Sequence, residues 1–323
     1  MIVAVAMGAV SLPAGGIALE LIDRLPFVSI DSGLTAREVA ILWELRMPRV
    51  VLGGLVGASL AMSGAAYQGV FRNPLADPYL LGAAAGAGLG ATLVFAYIDD
   101  SSSWPIDPLP LAAFVGALVS VLLTYILGRS GGRSRSATTL ILAGVAMASF
   151  LTAVQTYFQQ RESDTLQQVY AWILGRLSTS GWREVGLILP YVLLSGIGIL
   201  LHRRLLDVMS VGDEEAGSLG INAARVRIVV VIAATLATAA AVAVSGLIGF
   251  VGIIVPHTIR LVFGSSYRLV LPLSILFGGS FLIVTDLVAR TVSSPAELPI
   301  GVITAFFGAP FFIVVLRSSR RMA

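Results

Sequence analysis

Runs of Ala, Val, Leu, Ile and Gly, each closed by a short polar stretch, follow one another along the whole chain. The apolar residues are continuous rather than alternating. Most runs approach the ~20 residues of helix that cross a bilayer core of about 30 Å. They fall near residues 48–68, 78–98, 108–127, 138–158, 185–201, 229–246, 248–263, 269–289 and 300–317, with a first one at the N-terminus, ten in all. The first is deficient, because apolar character lasts only from Met1 to Leu12 before Pro13 and Gly15-Gly16. That is too short to span, which predicts either residues upstream of Met1 or a helix that enters only partway. The pattern predicts an all-α, polytopic membrane protein of about ten transmembrane helices, with residues 1–323 forming a single transmembrane domain.

Composition agrees. The 323 residues are 57% hydrophobic and 12% charged, against roughly 45–50% and about 25% in a soluble domain. Cysteine is absent, so disulfides, thiolate metal sites and Cys nucleophiles are excluded. All 21 basic residues are Arg, and they flank the spans, so topology in lipid explains them and nucleic acid does not. Placing both termini on one side gives that side Arg72, Arg129, Arg133, Arg135, Arg203, Arg204, Arg225, Arg227, Arg260, Arg268, Arg317, Arg320 and Arg321. The acids there are Asp77, Asp207, Asp213, Glu214 and Glu215, while the other side carries 8 Arg and 12 acids, with Asp286 inside a span. The positive-inside rule makes the first side cytoplasmic and predicts a multi-pass protein of the cell (inner) membrane with both termini inside.

The polar interruption "LDVMSVGDEEAGSLGINAARVR", Leu206 to Arg227, is then the longest cytoplasmic loop. On the outer side, residues 20–47 and 159–184 contain amphipathic pieces, with Tyr170, Trp172 and Trp182 suited to the interface. Ser63-Gly64 precedes Pro74 at the spacing by which Ser245-Gly246 precedes Pro256, which an inverted repeat of spans 2–5 and 7–10 would give. The dense glycines of the second and third spans, Gly53, Gly54, Gly57, Gly64, Gly82, Gly86, Gly88 and Gly90, read as close helix packing.

Candidate chemistry is sparse. His257 with Ser245 or Ser63 would be the material of an intramembrane hydrolase, but Pro256-His257 reads more simply as a capping or interfacial pair. Asp286 would serve the proton relay of an ion-coupled secondary transporter, yet Arg290 lies one turn on and offers an i,i+4 ion pair. "FRNPLADP" reads as a turn, with Pro74 and Pro78 breaking helix and Asn73 bonding free backbone groups. Arg46 and Arg49 in "LRMPR", and Arg290, stand at the outer face against the topological bias. They mark either an acidic partner or anchorage in lipid headgroups.

Taken together, "LRMPR", "SGAAYQGVFRNPLADPYLLGAAAGAG", "LILAGVA", "WILGRL", "GDEEAGSLGI", "GLIGFVGIIVPHTIR" and "ELPIGVITAFFGAPFF" resemble, in order, the membrane subunit of type II ATP-binding-cassette importers, the iron-chelate and vitamin B12 permease family. The resemblance runs from about Met7 to Arg317, and the shortened first span is its main departure. It implies a permease without an active site of its own, passing a metal chelate (ferric siderophore, haem or cobalamin) inward. It implies a homodimer, two cytoplasmic ATPase subunits that hold the ATP and Mg, and an external substrate-binding protein. Carried over by position, Gly212, Asp213, Glu214, Glu215, Leu219 and Gly220 would seat in the ATPase subunit. Arg46, Arg49 and Arg290 would meet acids of the binding protein, Asn73, Leu75 and Thr138 would lie at the cytoplasmic gate, and spans 5 and 10 would line the pathway.

Overall fold

The computed structural model describes residues 1–8, 11–26, 29–98, 107–130, 137–177, 181–294 and 296–319. Arg133, Arg135, Arg320 and Arg321, counted above for orientation, lie outside the described residues. Two short helices open the chain, α1 (Ile2–Ala6) and α2 (Ala14–Asp23). Then α3 (Ala36–Ala40) runs through a π-helical stretch, Ile41–Arg46, into α4 (Met47–Phe71). The chain continues with α5 (Ala83–Tyr97), α6 (Pro108–Ser130), α7 (Ala137–Arg161), α8 (Leu166–Ile173) and α9 (Arg183–Leu201). Two short helices, α10 (Arg203–Met209) and α11 (Asp213–Ser218), precede α12 (Ala223–Ser245), α13 (Val251–Phe263), α14 (Tyr267–Thr291) and α15 (Ile300–Ser319).

Nine of the ten expected spans are helices at the expected places. Six of them (α3–α4 as one, α6, α7, α9, α12 and α14) are long and apolar enough to cross a membrane, and α5, α13 and α15 are shorter. The first expected span is instead α1, whose five residues reach about 7 Å. Helix α5 also begins later than its apolar run, at Ala83. The reason is local: the Asp77 carboxylate accepts the Tyr79 N–H at 2.7 Å, Pro78 has no N–H to give, and Gly82 turns left-handed at φ 83°.

Helix α4 is the axis of the bundle. It packs against α14, α12, α13 and α9, and 83% of its most apolar window is buried, against 28% for α7. Small residues make this possible. A Cβ on Gly57 would lie 2.2 Å from the Gly278 carbonyl of α14, and one on Gly64 would lie 2.1 Å from the Gly252 carbonyl of α13. Any side chain there would force the helices apart. Arg49, near the start of α4, meets Asp286 near the end of α14, while Gly69 near the end of α4 meets Tyr267 at the start of α14. The two helices are therefore antiparallel, and the ends of the bundle stand about 35 Å apart along the 25 residues of α4.

The matched Ser-Gly and Pro spacings do not fall in equivalent settings. Ser63 and Gly64 lie inside α4 with Pro74 in the following loop, whereas Ser245 ends α12 and Pro256 lies inside α13. The spacing alone is thus no sign of a repeat. Trp172 also departs from the interfacial expectation: it is buried, while Tyr170 and Trp182 are exposed.

Candidate functional site

Polar chemistry gathers at the two ends of the bundle. At one end lie all three arginines that stood out in the sequence, and none of them simply projects from the surface. Arg46 is 8% exposed, and its Nη1 donates to the carbonyls of Val5 and Ala6 at 2.6 and 2.9 Å. Arg290 donates to the carbonyls of Ala4 and Met7. Both therefore satisfy carbonyls around the end of α1 that lack helical partners. The ion pair expected between Asp286 and Arg290 is present at 3.0 Å. Arg49 completes it, reaching Asp286 through Nε and Nη2 and Glu297 through Nη1 and Nη2. The Asp286 side chain is only 3% exposed, and so buried a charge persists only when paired and hydrogen-bonded. Two guanidinium groups, those of Arg49 and Arg290, here face two carboxylates, Asp286 and Glu297.

The opposite end carries an exposed knob formed by α10 and α11. Gly212 precedes α11, and Asp213, Glu214 and Glu215 fill its first turn, where acids favour the helix dipole. The helix stops at Gly220, which is left-handed at φ 78°. The Gly220 N–H returns to the Gly217 carbonyl and the Ile221 N–H to the Ala216 carbonyl, the paired bonds of a Schellman stop. Ala216 is buried beneath, while Leu219 and Val211 stand about 70% exposed beside the acids.

Ion pairs and caps fasten this knob to three long helices. Asp213 pairs with Arg72, the left-handed cap of α4, at 3.2 Å and with Arg227 of α12 at 2.9 Å. Asp207 of α10 accepts from the Tyr267 N–H and the Ser266 hydroxyl, capping α14.

The expected gate turn lies beside the knob. Asn73 accepts the Leu75 N–H at 3.0 Å, as its place in "FRNPLADP" suggested. Behind it Gln68, 1% exposed, donates to the carbonyls of Ala76 in that turn and Gly252 in α13, and accepts from Arg260. Burial pushes the Asp77 carboxyl up to about 6, opposed in part by the Tyr79 N–H. Thr138 is exposed in the first turn of α7. An apolar cavity of about 500 Å³ lies between the end of α8, the α12–α13 link and the start of α15, lined by Ile173, Leu247, Phe250, Val302 and Phe306 among others.

Sequence reasoning missed Glu297, Gln68, Asp207 and the bridging place of Arg72. For Gln68 the signal was present, a lone amide in an apolar run. The hydrolase material does not assemble: Ser63 donates to the Ala234 carbonyl and Ser245 to the Ala241 carbonyl. His257 lies inside α13 rather than at a cap, edge-on to Phe311.

A chain that is apolar over so much helical length, and polar chiefly where its helices end, is a multi-pass membrane protein. Its sequence relatives specify the class. The model of the FecCD transport family matches residues 1–318, and the chain belongs to that family. It is 40% identical to the cobalamin import system permease protein BtuC of Halobacterium salinarum, over 96% of this chain and 82% of that one. It is 34% identical to the Fe(3+)-citrate import system permease protein YfmE of Bacillus subtilis, over 99% and 95% of the two chains. A solved ABC transporter in an inward-facing conformation, described as of the metal-chelate type, matches with TM-score 0.83 and 27% identity over 98% of this chain and 94% of that one.

Proposed function

We propose that this chain is the membrane permease subunit of an ATP-binding-cassette importer that moves a metal chelate into the cytoplasm. The chelate is a ferric siderophore, haem or cobalamin. Two copies form the pathway, two cytoplasmic ATPase subunits bind ATP and Mg and supply the energy, and an external substrate-binding protein delivers the cargo. The observation that carries this reading is the family match over residues 1–318, joined to relatives named for cobalamin and Fe(3+)-citrate import.

The geometry supports a division of labour. The knob of α10 and α11 faces the cytoplasm and meets the ATPase through Gly212–Glu215, Leu219 and Gly220; residues 1–7, expected on the same side, instead pack on Arg46 and Arg290 at the opposite end. A displacement of the knob passes through Asp213 to α4 and α12, and through Asp207 to α14. Asn73 and Leu75 follow directly on Arg72 and act with Thr138 as the inner gate. At the outer end Arg49 offers charge to acidic groups of the binding protein, while Arg46 and Arg290 hold the outer end in shape. The cavity beside α15 offers apolar walls to a bulky cargo.

The test is purification of the complex from its native membrane, followed by uptake into proteoliposomes of labelled ferric siderophore, haem and cobalamin. A nucleotide-binding subunit should co-purify, and uptake of one cargo should require ATP. Uptake driven by an ion gradient with the chain alone would overturn the proposal.

A further inference from the structure

Arg49 divides its donors between two carboxylates of opposite character. Asp286 is buried and also takes Arg290. The Glu297 side chain is 52% exposed and meets Arg49 fork to fork, Nη1 to Oε1 at 3.0 Å and Nη2 to Oε2 at 2.8 Å. That bidentate geometry is the one a carboxylate arriving from another protein would adopt. Glu297 also stands on the link between α14 and α15 rather than on a helix, so its backbone is not tied into a helical ladder. Asp286 is enclosed, and Arg46 is committed to the carbonyls of Val5 and Ala6. The exchangeable position in the cluster is that of Glu297.

We propose that Glu297 is a resident stand-in for a partner's carboxylate. When an acidic side chain of the docking protein arrives, it replaces Glu297 on Arg49, and Glu297 turns out into water. The proposal rests on the reading that this end is the docking face. Exchange has a physical advantage over simple capture. Arg49 is only 19% exposed and shares Asp286 with Arg290, so without a second carboxylate two guanidinium groups would compete for one. Glu297 keeps the charges matched between docking events, and each new ion pair replaces an old one of similar strength. Displacement leaves the rest of the link in place, because the Leu298 N–H remains bonded to the Ala289 carbonyl and the N–H groups of Ile300 and Gly301 to the carbonyls of Gly175 and Leu174.

The experiment uses the reconstituted complete transporter and the substrate-binding protein that co-purifies with it, with dissociation constants measured at low ionic strength. Glu297→Gln removes the competing charge while keeping size and polarity, so docking should tighten roughly two- to five-fold, the span of a half-exposed ion pair. In an Arg49→Lys background, which keeps a charge beside Asp286 but loses the fork, docking should weaken and the gain from Glu297→Gln should shrink. Glu297→Ala should tighten docking as well, and thermal stability of every variant is measured alongside. If Arg49→Lys weakens docking but both Glu297 variants leave it unchanged or weaker, exchange is wrong and the docking face stands. If Arg49→Lys docks like the wild type, the docking face itself falls, and exchange with it.

Discussion

The two ends of the bundle handle charge in opposite ways. At the arginine end, Asp286 is buried and fully engaged, and guanidinium groups bind backbone as well as carboxylate. At the knob end the acids of α11 are exposed, and Asp213, whose side chain is 42% exposed, holds Arg72 across a solvated surface and reaches down to the more buried Arg227. Buried pairs are costly to break and weakly screened, and exposed pairs are the reverse. The first end is therefore a rigid frame with one exchangeable carboxylate. The second is a small body that can be pushed without unfolding what lies beneath it.

The strongest way to break this contrast is Asp286→Ala. It leaves Arg49 and Arg290 buried side by side with Glu297 as the remaining carboxylate, a loss of about 3–5 kcal/mol. Folded, monodisperse protein should largely disappear on fluorescence-detected size exclusion. A smaller effect comes from Asp77, a carboxylate near the knob with no arginine in ion-pair reach among the described residues. Its folded pKa is raised to about 6 from an ordinary 3.8, so the folded state binds this proton more tightly than the unfolded chain. The stabilisation is complete below about pH 3.8 and is lost as pH rises through about 6, by about 3 kcal/mol. Melting temperatures of Asp77→Asn and wild type should therefore show different slopes between those two pH values, with Asn lacking the decline.

Next in size is Gly220→Val. A β-branched residue at φ 78° costs about 1–2 kcal/mol, and the cost should remain within α11. Global melting should hardly move while retention of the ATPase subunit drops. Asp213→Asn should be smallest, about 1 kcal/mol, because its carboxylate and its partner Arg72 are solvent-exposed and only Arg227 is largely buried. Its effect on ATP-coupled uptake should fade as salt is raised. An Asp213→Asn variant as unstable as Asp286→Ala would erase the difference between the ends.

The spans were legible because a transmembrane helix must be continuously apolar, a demand that run length alone reveals. Helix starts were less so. The Asp77–Tyr79 turn delays α5, and nothing in hydropathy records a side chain bonding to its own backbone. Within the sites, legibility followed sequence separation. Asp286 and Arg290 lie one turn apart, and their pair could be read directly. Arg49 and Glu297 are 248 residues apart, and only the antiparallel packing of α4 on α14 joins them. For the same reason Arg46 and Arg49 read as surface groups, although their side chains are turned inward onto α1 and α14. Charge reversal at both, the obvious test from sequence, would break the frame as well as any docking.

The separation of the two ends is tested most directly by one quantity: the amount of nucleotide-binding subunit retained per permease dimer after purification of Leu219→Pro. Proline removes the Leu219 N–H bond to the Glu215 carbonyl and breaks the last turn of α11, about 35 Å along α4 from Arg49. The expected result is a folded dimer of unchanged melting temperature that has lost most of its ATPase subunit. Full retention of that subunit, with normal ATP-driven uptake, would contradict the assignment of the knob.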